Sequence, residues 1–194
     1  MKKKGINFIV SRWFTLVILT TIGCNLMILL IPSCKSSSER TKPVDQNKQK
    51  EELIKNQQNI VKNESENIDQ YVKSRSLIMT TTNTGLRYNI YKSGTGNQFP
   101  SNDDWVKINY SVSLLDGSQV YSSDSSGALE FQVGKSDIAS GLQEGVKLMK
   151  IGDKARFIVP SYLGYGLTGD GDQIKHYEAL VIEAELLSIT TQKR

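Results

Sequence analysis

The sequence predicts an α+β domain, an antiparallel sheet packed on one short helix, behind a helical segment and an apolar leader. Three observations predict it. From residue 77 onward, apolar and polar residues alternate in short runs, as half-buried strands require. Glycine turns punctuate those runs, among them "NTG" at 83–85 and "DG" at Asp116–Gly117. A single stretch inside them, "SGLQEGVKLM", carries a helical stripe: Leu142, Val146 and Met149 lie at i, i+4 and i+7. Strands surrounding a lone helix point to α+β.

Residues 1–33 read as a targeting segment. Lys2, Lys3 and Lys4 lead into "WFTLVILTTIGCNLMILLI", residues 13–31, which has no charged side chain. That is the order of a signal peptide, although 19 residues also approaches the length of a spanning helix. "LIPSC" resembles the lipobox of bacterial lipoproteins, with Ile31 three residues before Cys34 and Ser33 just before it. The resemblance implies cleavage before Cys34 and its acylation. It also implies a lipid-anchored place in the cell envelope, on the outer membrane facing the periplasm. Acyl chains contribute about 0.8 kcal/mol per buried CH2, so several anchor firmly. Cleavage at "TIGC", ending at Cys24, would leave "NLMILLI" on the mature protein. An uncleaved N-terminal anchor is the remaining reading.

Residues 34–50 are polar and rich in Ser, Lys and Gln, as a flexible tether is. In residues 51–75, Leu53, Ile54, Ile60, Val61, Ile68, Tyr71 and Val72 recur at roughly helical spacing. One or two amphipathic helices are expected there. Their stripe would dock on the chain's own domain or on a second copy, making a homodimer.

Residues 76–194 form the expected domain. "SLIMTTT" and "LRYNIYKSG" make a hairpin. "WVKINYSVSLL", residues 105–115, puts Val106, Ile108, Tyr110 and Val112 on one face. "DG" should turn it in two residues into "SQVYSS". A loop around Ser125–Gly127 precedes "ALEFQV", residues 128–133. Ser140 and Gln143 have capping-box spacing at the helix start, and Gly152 supplies its stop. "KARFIVP" is a strand closed by Pro160, which has no N–H to donate. A Gly/Asp loop at 169–172, read as solvated, leads to the last strand, residues 179–189.

Composition removes most chemistries. Four of the 24 Lys and Arg precede Cys34, so the chain from there on is balanced at 20 against 20 acids. Nucleic acid is therefore not an expected partner. His176 is the sole histidine, and no cysteine follows Cys34. No disulfide, zinc site or other metal is expected, nor any cofactor. No G-x-S-x-G elbow or phosphate loop is present.

The blocks "INYSVSLLDG", "LEFQVG", "GLQEGVKLMKIGDKARFIVPSYLGYG" and "ALVIEAELLSI" occur in an order that resembles the FKBP-type peptidyl-prolyl cis-trans isomerases. With its lipoprotein-like start, the chain is similar to lipoprotein members of that family, including the gliding-motility-associated kind. The resemblance implies a sheet wrapped around one short helix. It implies rotation of X–Pro amides in exported proline-containing polypeptides, by a membrane-tethered folding assistant. It also assigns residues. Tyr165, in "YG", would offer its hydroxyl to the substrate carbonyl. Tyr110 would project into the pocket, and Leu142 would occupy the floor position where the family often has Trp. Val120, Tyr121, Leu129 and Phe131 would line the walls. Ile138 and Ala139 would form the rim, Ile174 the covering loop, and Ile182 a site often held by Phe. The family Asp is absent from "VYSS", and two aromatic walls are aliphatic. These departures leave a second reading open: a catalytically weak or inactive chaperone or binding module in a cell-envelope or motility apparatus.

Overall fold

A computed structural model describes residues 46–191; the leader, both cysteines and most of the expected tether lie outside the described residues. Helix α1 spans Gln46–Ser74, so it begins inside the stretch read as tether and runs without a break. It contains no Gly or Pro to interrupt it. Its first half is exposed, including Leu53 and Ile54. Its second half turns Glu64, Ile68, Tyr71 and Val72 toward the sheet. The helix stops at Ser76, which adopts a left-handed φ of 52°. The Leu77 amide reaches back to the Val72 carbonyl and the Ser76 amide to that of Lys73, a Schellman stop.

Seven antiparallel strands follow: β1 Thr80–Thr81, β2 Arg87–Lys92, β3 Trp105–Leu114, β4 Gln119–Ser122, β5 Leu129–Gln132, β6 Lys154–Val159 and β7 Leu180–Thr190. Their order is β1-β2-β6-β7-β3-β4, with β5 also paired to β3. The first two hairpins share one turn design. In each, a glycine with φ near +90° (Gly85 at 92°, Gly117 at 94°) closes a three-residue loop. The Gly85 amide donates to Thr82 and the Gly117 amide to Leu114. The turn at Asp116–Gly117 is therefore one residue longer than the two-residue turn expected from "DG". The extra residue, Leu115, packs with the α1 cluster.

The stretch around Ser125–Gly127 is not a plain loop. Ser123–Ser126 form a single helical turn, α2, capped by Ser122 Oγ, which accepts from the Asp124 amide. It divides one outer strand into β4 and β5, both paired to β3.

Helix α3, Ser140–Val146, packs its buried residues into the main core of the sheet. Its start differs from the expected capping box. Ala139 takes the N-cap position, and Ser140 Oγ donates to the Leu163 carbonyl at 3.1 Å. Gln143 turns outward: its Oε1 accepts from the Gly134 amide at 2.6 Å, and its Nε2 donates to Ser136 and Ile138 carbonyls. The Gln143 side chain therefore satisfies three backbone groups of the preceding loop instead of capping the helix.

Alternation along β6 separates two cores. Phe157 and Val159 join Leu142, Val146 and Met149 in the main one; Ile158 faces the other way, toward Ile68 of α1. The helix lies close to β6 because Gly141 and Gly145 face it. A Cβ on Gly145 would sit 2.6 Å from the Phe157 ring, and one on Gly141 would sit 2.5 Å from Val159. Alanine favours a helix by about 1 kcal/mol over glycine. Overpacking a core costs about 1–3 kcal/mol, and fully buried Phe157 has no room to yield. Gly145→Ala should therefore lower the denaturant midpoint despite its better helix propensity.

Candidate active site

An apolar cavity of about 250 Å³ opens at the N-terminal end of α3. Four strands, one helix and the β6–β7 connection contribute to it. β3 supplies Tyr110 and Val112, β4 supplies Tyr121, and β5 supplies Leu129. β7 supplies Leu180 and Ile182, while α3 and the residues before it supply Leu142, Ala139 and Ile138. The β6–β7 connection closes it with Tyr165 and Ile174. Leu142, Ile174, Leu180 and Ile182 are almost fully buried, so they form its depth. The tyrosines, Leu129 and Ile138 are only partly buried and stand nearer the mouth.

All three residues expected to act on the substrate, Tyr165, Tyr110 and Leu142, line this cavity. So do Tyr121, Leu129, Ile138, Ala139, Ile174 and Ile182. Val120 and Phe131 do not: both pack into the main core. Neighbours on a strand face opposite ways, so Val120 cannot share the direction of Tyr121. Phe131 pairs with Val106, two residues further along β5 from Leu129, and is buried there. Val112 and Leu180 were not expected in the wall. The same two-residue period carries them, since Val112 follows Tyr110 and Leu180 precedes Ile182.

Each tyrosine has a different fate. Tyr110 Oη meets Ser126 Oγ at 3.0 Å, and the Tyr110 amide donates to Ser123 Oγ at 3.1 Å, so α2 fixes this ring. Tyr121 Oη donates to the carboxylate of Asp170. That hydrogen bond, with burial and the negative charge of Asp170 added, pushes the Tyr121 phenol up to about 12. The Tyr165 hydroxyl has no hydrogen-bond partner among the described residues and remains available. Burial, reinforced by the charges of Asp170 and Asp137, raises its pKa, so it is a neutral donor at physiological pH.

Asp170 corrects the reading of the Gly/Asp loop as merely solvated. Its carboxylate accepts from Tyr121, from the Asp172 amide at 2.9 Å and from the Ile174 amide at 2.9 Å. The Asp170 amide donates back to the Ile174 carbonyl at 3.0 Å. This acid therefore folds the loop that sets Ile174 in the pocket wall. Burial works to raise its pKa, but the bonds from Tyr121, Asp172 and Ile174 outweigh it and hold the carboxyl below its usual range.

No nucleophile or base lines the cavity, and His176 lies outside it. Among the described residues, no cluster of three His, Cys, Asp or Glu side chains could hold a metal ion. The cavity can exclude water, grip an apolar ring and donate one hydrogen bond.

A sheet around one helix, with this pocket at the helix's N-terminal end, defines a class, and residues 96–187 match it as FKBP-type peptidyl-prolyl cis-trans isomerase. The chain belongs to that family. It is 34% identical over 110 residues to FK506-binding protein 1A of Aspergillus fumigatus, covering 56% of this chain and 98% of that one. It is 40% identical over 110 residues to a probable FKBP-type isomerase, FkpA, of Neisseria meningitidis, covering 56% of this chain. The match spans only 39% of that relative's length. The crystal structure of FkpA from Escherichia coli is similar with a TM-score of 0.56 and 28% identity, covering 77% of this chain and 74% of that one.

The Asp170 bonds predict an acid transition. A carboxyl with a depressed folded pKa stabilises the fold above its unfolded value, near 3.8, and loses that contribution as pH falls through the folded value. Loop 169–174 should keep its amide protection, measured against the intrinsic exchange rate at each pH, at neutral pH and lose it below the usual carboxylate range. Asp170→Ala should show that loss already at neutral pH.

Proposed function

We propose that the chain is a peptidyl-prolyl cis-trans isomerase acting on exported, proline-containing polypeptides. One observation carries the reading: the cavity is apolar, holds no reactive group and presents one unpaired phenol, Tyr165. Amide rotation needs little more. The barrier of ~18–20 kcal/mol arises because the twisted C–N bond loses resonance. Uncatalysed turnover takes about 10–100 s. The planar amide has the more polar carbonyl, so it loses more on leaving water. Burying an amide costs roughly 1–3 kcal/mol in proteins. A twisted state that escapes this penalty would gain about one to two powers of ten in rate. In this mechanism the proline ring sits against Leu142 and Ile182, and Tyr165 Oη donates to a substrate carbonyl to hold the peptide in register. Tyr110 and Tyr121, already hydrogen-bonded, supply apolar edges.

The leader extends the proposal. Lipid attachment at Cys34 would anchor the chain in the cell envelope, on the outer membrane facing the periplasm, and the partners would be proteins arriving there. The exposed first half of α1, with Leu53 and Ile54, is compatible with pairing to a second copy. A second reading, a binding module in the envelope or a motility apparatus with little catalysis, is favoured by Leu142 at the floor and by the engagement of Tyr121 with Asp170.

An isomerisation assay on proline peptides with the full chain separates the two. A folded protein that leaves the rate at its buffer value sinks the enzyme reading. If the chain is active, Tyr165→Phe should lower kcat/KM about two- to tenfold, the worth of one hydrogen bond. The anchor has its own check: acyl labelling in a bacterial host should be present in the native chain and absent in Cys34→Ala.

A further inference from the structure

The turn that carries Tyr165 is held from outside the stretch that matches the family. Pro160 ends β6, and Ser161–Leu163 form one 3-10 turn. Ser161 is 2% exposed. Its amide donates to Glu64 Oε1 at 2.6 Å, and its hydroxyl donates to Glu64 Oε2 at 2.9 Å. Glu64 sits on α1 and is itself only 8% exposed. The Ser161 carbonyl in turn accepts the amides of Gly164, at 2.9 Å, and Gly166, at 2.8 Å. Those two glycines flank Tyr165. A second strut comes from the β1–β2 turn: Tyr162 Oη donates to the Thr84 carbonyl at 3.0 Å, and Thr84 Oγ1 donates to Glu144 of α3.

Glycines on both sides give the Tyr165 segment wide backbone freedom. Its orientation must come from what its neighbours hold. A buried carboxylate that takes both donors of one residue is a strong, directional hold. We infer that Glu64 is a positioning residue for the pocket: through Ser161 it fixes the turn that aims the Tyr165 hydroxyl. Helix α1 is then part of the site's frame. The inference rests on the isomerase reading for its effect on rate, but not for its effect on the turn.

Amide hydrogen exchange on the full chain tests it. In Glu64→Ala, Gly164 and Gly166 should exchange faster by about tenfold or more, the loss expected for a charged hydrogen bond. Amides in the middle of β3 should keep their native rates. Ser161→Ala removes only the hydroxyl contact and should give a smaller rise at the same two glycines. It also carries the comparison if Glu64→Ala does not fold. Glu64→Gln can accept from the Ser161 amide and donate to its hydroxyl, so it should recover most of the loss. On proline peptides, kcat/KM should fall in the same order. Unchanged exchange at Gly164 and Gly166 in a folded Glu64→Ala would overturn the inference. So would an increase there no larger than in β3. A native chain without isomerase activity would remove the isomerase reading, yet the exchange comparison would still decide the role of Glu64.

Discussion

Two positions on α3 have no side chain, and both face β6. With Gly141 and Gly145 there, the helix lies against Val159 and Phe157 at a distance no alanine would allow. A helix of seven residues has little stability of its own, since its nucleation is hardly repaid. It persists because Leu142, Val146 and the following Met149 are buried against the sheet. The pocket is a product of that seating. Where α3 begins, the sheet still continues past it, and the uncovered part of β3 and β7 becomes cavity wall. A helix held further from β6 would blur the cavity into the core.

The polar groups around this apolar site divide by origin. Asp170 and Ser126 come from within the matched family region and fix two of the three tyrosines. Glu64 and Thr84 come from before it and secure the turn that bears the third. Arg87 ties the same outer layer together: it is 7% exposed and bridges Asp69 and Ser65 of α1 to the Gly85 carbonyl. The region ahead of the family match is therefore joined to the domain by buried polar contacts as well as by Ile68. Cutting the chain just after α1 would leave Ser161 without its carboxylate and Ile158 facing water.

Legibility in the sequence followed the range of the forces involved. Strand positions were readable because burial on one face imposes a two-residue period, and that period is local. It placed β3, β6 and β7 within a residue or so of their observed limits. The pocket was readable through the family resemblance, and the same period could have added Val112 and Leu180. It also sets Val120 and Tyr121 on opposite faces, although both were expected in the wall. What stayed hidden depends on partners distant in sequence. Gln143 has the spacing of a capping residue, but a loop nine residues earlier claims its side chain. Asp170 looks solvated until Tyr121, 49 residues away, is brought to it. Glu64 and Ser161 are separated by 97 residues, and nothing in either neighbourhood marks them as a pair.

The last strand occupies the middle of the sheet. β7 lies between β6 and β3, and among the described residues no other pairing joins the β1–β2–β6 part to the β3–β4–β5 part. The apolar stripe of α1 waits for the same arrival, because Ile68 packs on Ile158, Ala179 and Val181. A ribosome reads this chain from the opposite end. Between the synthesis of β6 and that of β7, the nascent protein holds two unjoined half-sheets and an incompletely covered helix, with apolar faces open to other chains. Completion comes in one late step of high contact order, when residues 180–190 slot between the halves. A protein proposed to assist the folding of others is, until its final strand emerges, in need of the same protection.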